Sequence, residues 1–320
     1  MENFQKTLIC PLNWGLGHAT RCVPIIRGLV AEGNEVVIAA DGYPLQFLHQ
    51  EFPELRIIEL PSYPIRYSKG KSQVFAMLRF LPKLYKGIKR EHEWLDHLLQ
   101  SEHFDTIISD NRFGLWNKSL HTIYMTHQLM IKMPKGLRWL EPVAYRFHRH
   151  FITKYDECWI PDFAEDGGLS GDLSHKYPLT VNAKFIGILS RFSGYENVEP
   201  ENSYKTVIIL SGVEPQRSIF EQEMLNKYRD VNEKTLVILG KPTENSDIKI
   251  EKAVSIVAHL DTKKMASVLL GCSTIISRSG YTTIMDLNAL NCLNKARLIP
   301  TPGQTEQEYL ADYIHSKGLV

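Results

Sequence analysis

Short apolar runs and longer amphipathic stretches alternate along the first half of the chain. The runs predict β-strands at Thr7–Pro11, Glu35–Ala40, Leu55–Leu60, Thr106–Ser109, Thr122–Met125, Glu157–Ile160 and Lys184–Ile188. Between most of them, apolar residues at helical spacing predict helices near Ala19–Glu32, Gln73–Gln100 and Leu140–Lys154. Strands that alternate with helices are typical of βαβ units on a parallel sheet.

The alternation stops in a polar stretch and then restarts. Residues 189–204, LSRFSGYENVEPENSY, lack apolar periodicity and predict a linker. The second half predicts strands at Thr206–Leu210, Thr235–Leu239, Val254–Ala258, Thr274–Ser277 and Arg297–Pro300. It predicts helices near Pro215–Tyr228, Thr262–Leu269, Thr282–Leu290 and Thr305–Lys317. We expect two doubly wound α/β domains, residues 1–188 and 205–320, with the ligand in the cleft between them.

Composition narrows the class of protein. The 320 residues carry a net charge of +1, which gives no basic field for nucleic acid. Five cysteines are scattered without metal-ligand spacing, so we expect neither a zinc site nor disulfides. The amino terminus does not resemble a signal peptide, and no apolar run is long enough to span a membrane. These features predict a cytoplasmic globular protein.

The segment LICPLNWGLGHATRC places a glycine turn after the first strand. Gly15 and Gly17 allow a sharp turn, and the helix that follows can bind an anion through its unpaired N–H groups. His18 and Arg21 add chemistry that a simple strand–helix turn does not need. A dinucleotide loop is a second interpretation, because Asp41 could bind a ribose, although Thr20 replaces the third glycine. That alternative predicts an NAD-dependent oxidoreductase.

A second segment, IISRSGYTTIMDL, ends a strand and begins a helix. Ser277, Arg278, Ser279, Gly280 and Thr282 could bind an anion, and the hydroxyls could cap the helix. Asp286 follows about one turn into the helix, where its carboxylate could accept hydrogen bonds from a diol such as a ribose. After the next strand, Gln304, Glu306 and Gln307 offer groups suited to a hydroxyl-rich ligand.

Together these segments resemble the GT-B glycosyltransferases of family 28, one of which adds N-acetylglucosamine to a lipid-linked peptidoglycan precursor. The resemblance rests on Gly15-Leu16-Gly17-His18, on the Ser-Arg-x-Gly…Asp stretch and on the glutamine-rich turn after Pro300. It implies two Rossmann-like domains that face a cleft, and transfer of a hexose or N-acetylhexosamine from a UDP-sugar. Such relatives carry a further helical segment, so we expect that this chain is either short or incomplete at its carboxyl end.

The resemblance also implies roles for individual residues. It assigns the donor nucleotide to Gly15, Gly17, Ser211, Gly212, Arg217, His259, Leu260, Ser277, Arg278, Ser279, Gly280, Thr282 and Asp286. It assigns the donor sugar to Gln304, Glu306 and Gln307. In this fold class the leaving diphosphate is stabilised by helix N-termini, without a metal or a cofactor.

An acceptor hydroxyl must lose a proton when it attacks the sugar. His18 is the first candidate for the base, and Asp110 is the alternative. The resemblance implies that Arg21 lies on the acceptor side of the cleft. Asn111, Arg112, His127 and Gln128 are assigned to the acceptor side because they lie at or beyond predicted strand ends. Two other functions stay open: a nucleotide-sugar epimerase of the same fold, and a non-catalytic nucleotide-sugar-binding protein.

Two stretches, residues 61–90 and 131–151, interleave basic and bulky apolar side chains. This pattern suits a helix at an anionic membrane surface, on the inner face of the membrane, and the acceptor would then be lipid-linked or made at the inner leaflet. The alternative is an ordinary amphipathic helix that packs on the sheet and exposes its basic residues to solvent.

Overall fold

A computed structural model of the chain describes residues 4–60, 73–242 and 247–320. Within these ranges the first sheet has seven parallel strands, in the order β3-β2-β1-β4-β5-β6-β7. The strands are β1 (Lys6–Pro11), β2 (Glu35–Ala40), β3 (Arg56–Glu59), β4 (Thr106–Asp110), β5 (His121–Met125), β6 (Glu157–Ile160) and β7 (Ala183–Phe185). The helices are α1 (Leu16–Ala31), α2 (Gly42–Glu51), α3 (Gln73–Ser101), α4 (Glu141–Ile152) and α5 (Asp172–His175), with a 3₁₀ helix at Lys135–Leu140.

The second sheet has six strands among the described residues, in the order β10-β11-β9-β8-β12-β13. They are β8 (Thr206–Ile209), β9 (Thr235–Ile238), β10 (Lys249–Glu251), β11 (Val254–Val257), β12 (Thr274–Ser277) and β13 (Ala296–Leu298). The helices are α6 (Gln216–Tyr228), α7 (Thr262–Gly271), α8 (Tyr281–Ala289) and α9 (Thr305–Ser316), with a 3₁₀ helix at Leu293–Lys295. β10 pairs antiparallel with β11 at the sheet edge, and the other pairings are parallel.

The strand order places one switch point in each sheet. In the first sheet, successive strands are added toward one edge up to β3 and toward the other edge from β4 onward, so the switch lies between β1 and β4. In the second sheet the corresponding switch lies between β8 and β12. Helices on either side of such a point diverge and leave a crevice at the carboxyl ends of the strands. The two crevices therefore lie after Pro11 and Asp110 in one sheet, and after Ile209 and Ser277 in the other.

The predicted linker is polar in sequence but partly buried in the fold. Arg191 and Phe192 are buried, and Ser190 Oγ donates to Asp286 Oδ1 at 2.6 Å. Arg191 O accepts from Arg27 on α1 at 3.0 Å. These contacts attach residues 190–192 to both halves of the chain, while the domain boundaries at 188 and 205 stay a prediction.

The two stretches predicted to bind a membrane differ in how far the structure describes them. Residues 61–72 of the first stretch lie outside the described residues. In the described part of the chain, no helix is both long and apolar enough to cross a membrane. In the second stretch, α4 buries Ala144, His148, Phe151 and Ile152 against the first sheet, as an amphipathic helix does.

The two halves meet closely where α1 crosses α8. Thr282 Oγ1 on α8 donates to Gly17 O on α1 at 3.2 Å. A Cβ atom at Gly17 would lie 2.9 Å from Thr282 Oγ1 and 3.2 Å from its Cβ. Gly17 therefore serves the approach of the two helices as well as the turn.

We expect Gly17→Ala to destabilise the protein by about 1–2 kcal/mol, because the added methyl group overpacks against a stiff β-branched side chain. Gly28→Ala is the matched control in the same helix: its Cβ meets nothing within 4 Å, so a gain of about 0.5–1 kcal/mol is expected. Chemical denaturation measures both. The cost of Gly17→Ala should shrink in a Thr282→Ala background, and strict additivity of the two changes would contradict the proposed contact.

Candidate active site

A cavity of about 250 Å³ lies between the two sheets, at the carboxyl ends of β1, β4, β8 and β12. Sixteen of the residues predicted to form the site line it: Gly15, Gly17, His18, Arg21, Asn111, His127, Gln128, Ser211, Gly212, His259, Gly280, Thr282, Asp286, Gln304, Glu306 and Gln307. In the described residues, no group of three or more His, Cys, Asp or Glu side chains could hold a metal ion.

A buried carboxylate organises the first-sheet side of the cavity. Asp110 ends β4, and its Oδ2 accepts from Arg21 Nε at 2.8 Å. His18 Nδ1 lies 3.0 Å from the same oxygen, and Arg21 Nη2 donates to Oδ1. Arg21 Nη2 also lies 3.0 Å from His18 Nδ1. We assign the hydrogen of the neutral imidazole to Nδ1, because the ionised carboxylate beside it can only accept. Nε2 is then the nitrogen of His18 that is left for a substrate.

The charges of these groups follow from their partners. Burial alone would raise the pKa of Asp110, but Arg21 and His18 outweigh it and lower this pKa to about 2. Burial lowers the pKa of His18 from its usual 6.5, and Arg21 and His127 act in the same direction against Asp110. At neutral pH the pair is thus an ionised carboxylate beside a neutral imidazole.

A second histidine continues this series of polar contacts across the cleft. Arg21 Nη1 lies 2.9 Å from His127 Nδ1, and His127 Nε2 lies 2.9 Å from Glu306 Oε1 on α9. A guanidinium can only donate and a carboxylate can only accept, so His127 carries its proton on Nε2. Its ring stacks on Tyr281 at a centroid distance of 4.3 Å. His127, which follows the end of β5, thus contacts both α8 and α9 of the second half.

On the second-sheet side of the cavity, the pKa of a buried carboxyl is raised, whereas that of Asp110 is lowered. Asp286 on α8 lines the cavity and accepts from Ser190 Oγ. Burial raises the pKa of Asp286 to about 6, although Arg191 and Ser190 oppose the rise. A ligand that donates hydrogen bonds to this carboxylate would relieve part of that desolvation cost.

Arg191 is a cavity residue that sequence reasoning missed. Its side chain is 5% exposed, and Nε and Nη1 are buried without a hydrogen-bond partner among the described residues. The guanidinium lies over the rings of Phe47 and Phe192, and Nη2 contacts Met265 Sδ. Burial lowers the pKa of Arg191. The only sequence signal is one arginine in a polar stretch, which ordinarily indicates a solvated side chain.

Trp14 was also missed in the glycine turn. It lines the cavity, and its indole Nε1 is buried without a partner in the described part of the chain. Asn111 directly follows β4 and has a positive φ of 57°. Its Oδ1 accepts from Tyr124 OH at 3.2 Å, which leaves the amide nitrogen as the donor end.

Three predicted arginines lie away from the cavity lining, with partners of their own. Arg112 is buried against Glu91, Asp41 and the carbonyl of Pro11. Arg217 pairs with Glu214 and Glu221. Arg278 donates to Pro300 O at 2.9 Å and lies 3.9 Å from the centre of the Phe220 ring. These three cations therefore have contacts within the protein and do not line the cavity, where we expected Arg217 and Arg278 beside the donor nucleotide and Arg112 on the acceptor side.

The predicted helix cap at α8 is also wrong. Gly280 is the N-cap residue, and no side chain among the described residues caps the helix. Ser279 Oγ donates to Gln307 O at 2.7 Å, and Thr282 Oγ1 is used by Gly17, so both hydroxyls serve tertiary contacts. Ser277 and Leu260 do not line the cavity either: Ser277 is buried in β12, and Leu260 packs against the core of the second half.

Comparisons with known proteins agree with this architecture. No protein-family model matches the chain. An uncharacterized glycosyltransferase of Methanosarcina mazei is 24% identical, over 98% of this chain and 84% of the relative. The solved structure of the glycosyltransferase SnogD from Streptomyces nogalater aligns with 99% of this chain and 85% of its own, at a TM-score of 0.57 and 14% identity. That of Arabidopsis thaliana UGT89C1 complexed with UDP-L-rhamnose aligns with 98% and 83%, at a TM-score of 0.58 and 13% identity.

These likenesses confirm the predicted fold. Both α/β halves align with solved structures along nearly the whole chain, so the fold is the GT-B arrangement of two Rossmann-like domains. At these identities the likeness supports the fold alone, and membership of family 28 stays a prediction.

The raised pKa of Asp286 makes a prediction about stability. A carboxyl whose pKa is higher in the folded protein binds its proton more tightly there. The free energy of unfolding therefore falls as pH rises from about 4 to about 6. Asp286→Asn should remove this component, so its stability should exceed that of the wild type by about 3 kcal/mol above pH 6.5 and match it near pH 4. Urea denaturation across this range is the measurement, and parallel curves would contradict the assignment.

Proposed function

We propose that this protein is a glycosyltransferase that moves a hexose or N-acetylhexosamine from a nucleoside-diphosphate sugar, a UDP-sugar, to a hydroxyl of a glycan or lipid acceptor. The observation that carries the proposal is the neutral His18, held through Nδ1 by the ionised Asp110, at a cavity between two Rossmann-like sheets. The names of similar proteins support the same activity.

His18 is the proposed base. Its Nε2 takes the proton of the acceptor hydroxyl as that oxygen attacks the anomeric carbon, and Asp110 stabilises the imidazolium that forms. The nucleoside diphosphate leaves from the opposite face of the sugar, so a single displacement inverts the anomeric configuration. Asp110 itself is buried with both oxygens engaged, which makes it a positioning residue and not the base.

The donor is proposed to lie on the second-sheet side. The amino terminus of α8 at Gly280 and the turn at Ser211–Gly212 offer backbone N–H groups to the diphosphate, and the buried Arg191 offers positive charge. Asp286 and His259 line the cavity; Asp286 would accept from the ribose hydroxyls, and His259 would lie beside the base. Gln304, Glu306 and Gln307 would hold the sugar. A UDP-sugar donor is supported by UGT89C1, which is complexed with UDP-L-rhamnose.

The dinucleotide alternative fits these contacts less well. It requires Asp41 to bind a ribose, but Asp41 accepts from Asn13 Nδ2 at 3.1 Å and from Arg112 Nη2 at 3.3 Å. Gly17, which should approach a pyrophosphate, packs against Thr282. The epimerase and the non-catalytic alternatives keep the same donor site, so only a product assay separates them from transfer.

The first test is thermal unfolding of the purified protein with UDP, GDP, dTDP, CMP or NAD. A ligand at about a hundredfold its dissociation constant stabilises the folded state by about 2.7 kcal/mol, which raises the midpoint by a few degrees. Stabilisation by UDP, followed by UDP release from a UDP-sugar that depends on an acceptor extract, supports the transferase. Stabilisation by NAD alone would overturn it. UDP released together with an altered free sugar, with no acceptor required, would identify an epimerase.

The base assignment predicts a large loss of rate with intact donor binding. His18→Ala and Asp110→Asn should each lower kcat by about 10²–10⁴-fold, because the acceptor proton loses its positioned base. UDP should still raise the unfolding temperature of the His18→Ala variant. In the wild type, kcat/KM should fall with acidity through a pKa below 6.5 and stay level at neutral pH. His103→Ala, at an exposed histidine, is the control, and full activity of His18→Ala would refute the mechanism.

The burial of Arg191 without partners for Nε and Nη1 among the described residues predicts opposite effects of its removal on the stability of the protein and on its affinity for UDP. Arg191→Met removes a buried cation with unsatisfied N–H groups, so the free protein should become more stable by about 1–2 kcal/mol. The same change should weaken UDP binding by at least tenfold, as measured by calorimetry. Arg278→Met is the matched control: it loses its own contacts to Pro300 and Phe220 but should leave UDP affinity unchanged. Equal affinity in the Arg191 variant would remove this residue from the donor site.

A further inference from the structure

Tyr281 is the first residue of α8, and its side chain contacts the first half of the chain at two points. Its ring stacks on the His127 imidazole, with 4.3 Å between the ring centroids and 5° between the planes. Its hydroxyl donates to Pro161 O at 2.8 Å. The residue is 2% exposed and belongs to the core cluster of the second half. Tyr281 lines the cavity, yet none of the donor and acceptor contacts proposed above uses its ring.

The segment that accepts this hydrogen bond is itself fixed between the two halves. Residues 161–173 follow β6 in the first half, and Met130 N donates to Leu173 O at 3.0 Å. Leu169 and Leu173 are buried, and they belong to the core cluster of the second half together with Tyr281. Close packing on both sides leaves the tyrosine ring little room to move. Tyr281 is therefore a rigid surface against which another side chain can be aligned.

His127 has two partners at its ring nitrogens and a third on its face. Arg21 Nη1 lies 2.9 Å from Nδ1, and Nε2 donates to Glu306 Oε1 at 2.9 Å. These two contacts fix the direction of the nitrogens, but they restrain the tilt of the ring about the line between the partners only weakly. A ring stacked on the face restrains that tilt. The stack with Tyr281 thus completes the positioning of the imidazole.

We propose that Tyr281 is a positioning residue for sugar transfer, and that it acts by holding the His127 imidazole in one orientation. This role rests on the proposed function, in which a sugar hydroxyl takes the place of His127 on Glu306. His127 then keeps two of its three partners, Arg21 and Tyr281. The stack keeps its Nε2–H directed at the place where the sugar hydroxyl binds, so the imidazole can donate to the sugar.

The alignment of His127 also affects the base. Arg21 is 1% exposed, and it donates to Asp110 through Nε and to His127 through Nη1. If the imidazole turns away, Nη1 is left buried without this acceptor, which is costly. Arg21 would then move to recover a partner, and Asp110 and His18 would shift with it. Loss of the Tyr281 ring should therefore lower the rate of transfer more than the affinity for UDP.

The orientation of His127 is measured first, because this measurement needs no substrate. Nitrogen NMR of the full chain with isotope-labelled histidine distinguishes the two tautomers of a neutral imidazole, and His127→Gln identifies the signals of His127 among those of the 12 histidines. We expect a single tautomer, with the hydrogen on Nε2, in the wild type and in Tyr281→Phe. In Tyr281→Leu, which has no ring, the shifts of the two nitrogens should move toward each other because both tautomers become populated.

The second readout is the acceptor-dependent release of UDP from a UDP-sugar. Tyr281→Leu should lower kcat by about 10–100-fold, because the reacting groups lose their alignment, while calorimetry should give an unchanged Kd for UDP. Tyr281→Phe keeps the stack and loses the hydrogen bond to Pro161 O, so it should be less stable to urea and still rescue most of kcat. Phe185→Leu is the matched control: it removes a ring stacked on His175 at 4.6 Å, a pair outside the cavity lining, and should leave kcat unchanged.

A wild-type tautomer and kcat in Tyr281→Leu would overturn the proposal. So would an equal loss of kcat in Tyr281→Phe, because the hydroxyl and not the stack would then be responsible, or an equal loss of UDP affinity in Tyr281→Leu. Tyr281→Met, which has a flexible side chain without a ring, supplies the same test if the Leu variant does not fold. Absence of acceptor-dependent UDP release from the wild type refutes the proposed function, whereas a His127 tautomer that Tyr281→Leu leaves unchanged refutes the positioning role, so the two failures can be distinguished.

Discussion

The carboxylate of Asp110 is the interaction on which the site depends. It is fully buried at the end of β4, and a charge in that position must be compensated by its neighbours. The compensation comes from Arg21 and His18, which are both on α1. The ion pair therefore sets how α1 is rotated on the sheet, and with it the direction in which the His18 imidazole faces the cavity. Apolar packing alone would fix the position of the helix less uniquely than its charge partners do.

The same group of charges reaches across the cleft. Arg21 contacts His127, and His127 contacts Glu306 on α9, so the two halves meet through polar groups at the centre of the cavity. In the proposed function a sugar hydroxyl that binds Glu306 replaces His127, one hydrogen bond for another, with little net gain. The affinity for a donor must then come from the diphosphate and the ribose. Among the described residues, Arg191 has N–H groups without a hydrogen-bond partner, and burial raises the pKa of Asp286. Affinity and sugar selection would thus reside in different parts of one cavity.

Much of the fold could be predicted, because buried strands are continuous apolar runs and the ends of parallel strands meet at one edge. That rule brought His18, Asp110, His127 and Gly280 together in the prediction. Elements without such runs were missed. α2 begins at Gly42, whose positive φ of 56° and nearby Pro44 resemble a turn, and β10 is fully exposed at a sheet edge. Residues 61–72, which were part of a predicted membrane stretch, are not described.

The arginines show what the sequence could not decide. Arg217 and Arg278 were assigned to the donor nucleotide and Arg112 to the acceptor side, yet each has partners within the protein. Arg191 was passed over because its neighbours in sequence are polar, yet it is buried with unsatisfied N–H groups at the cavity. Arg217 pairs with Glu214 and Glu221, only three and four positions away. The contacts of Arg112, Arg278 and Arg191 instead join residues more than 20 positions apart, which no local pattern records. Since an unpaired buried cation is costly, its persistence in the fold is better evidence for an anionic ligand than its place in a motif.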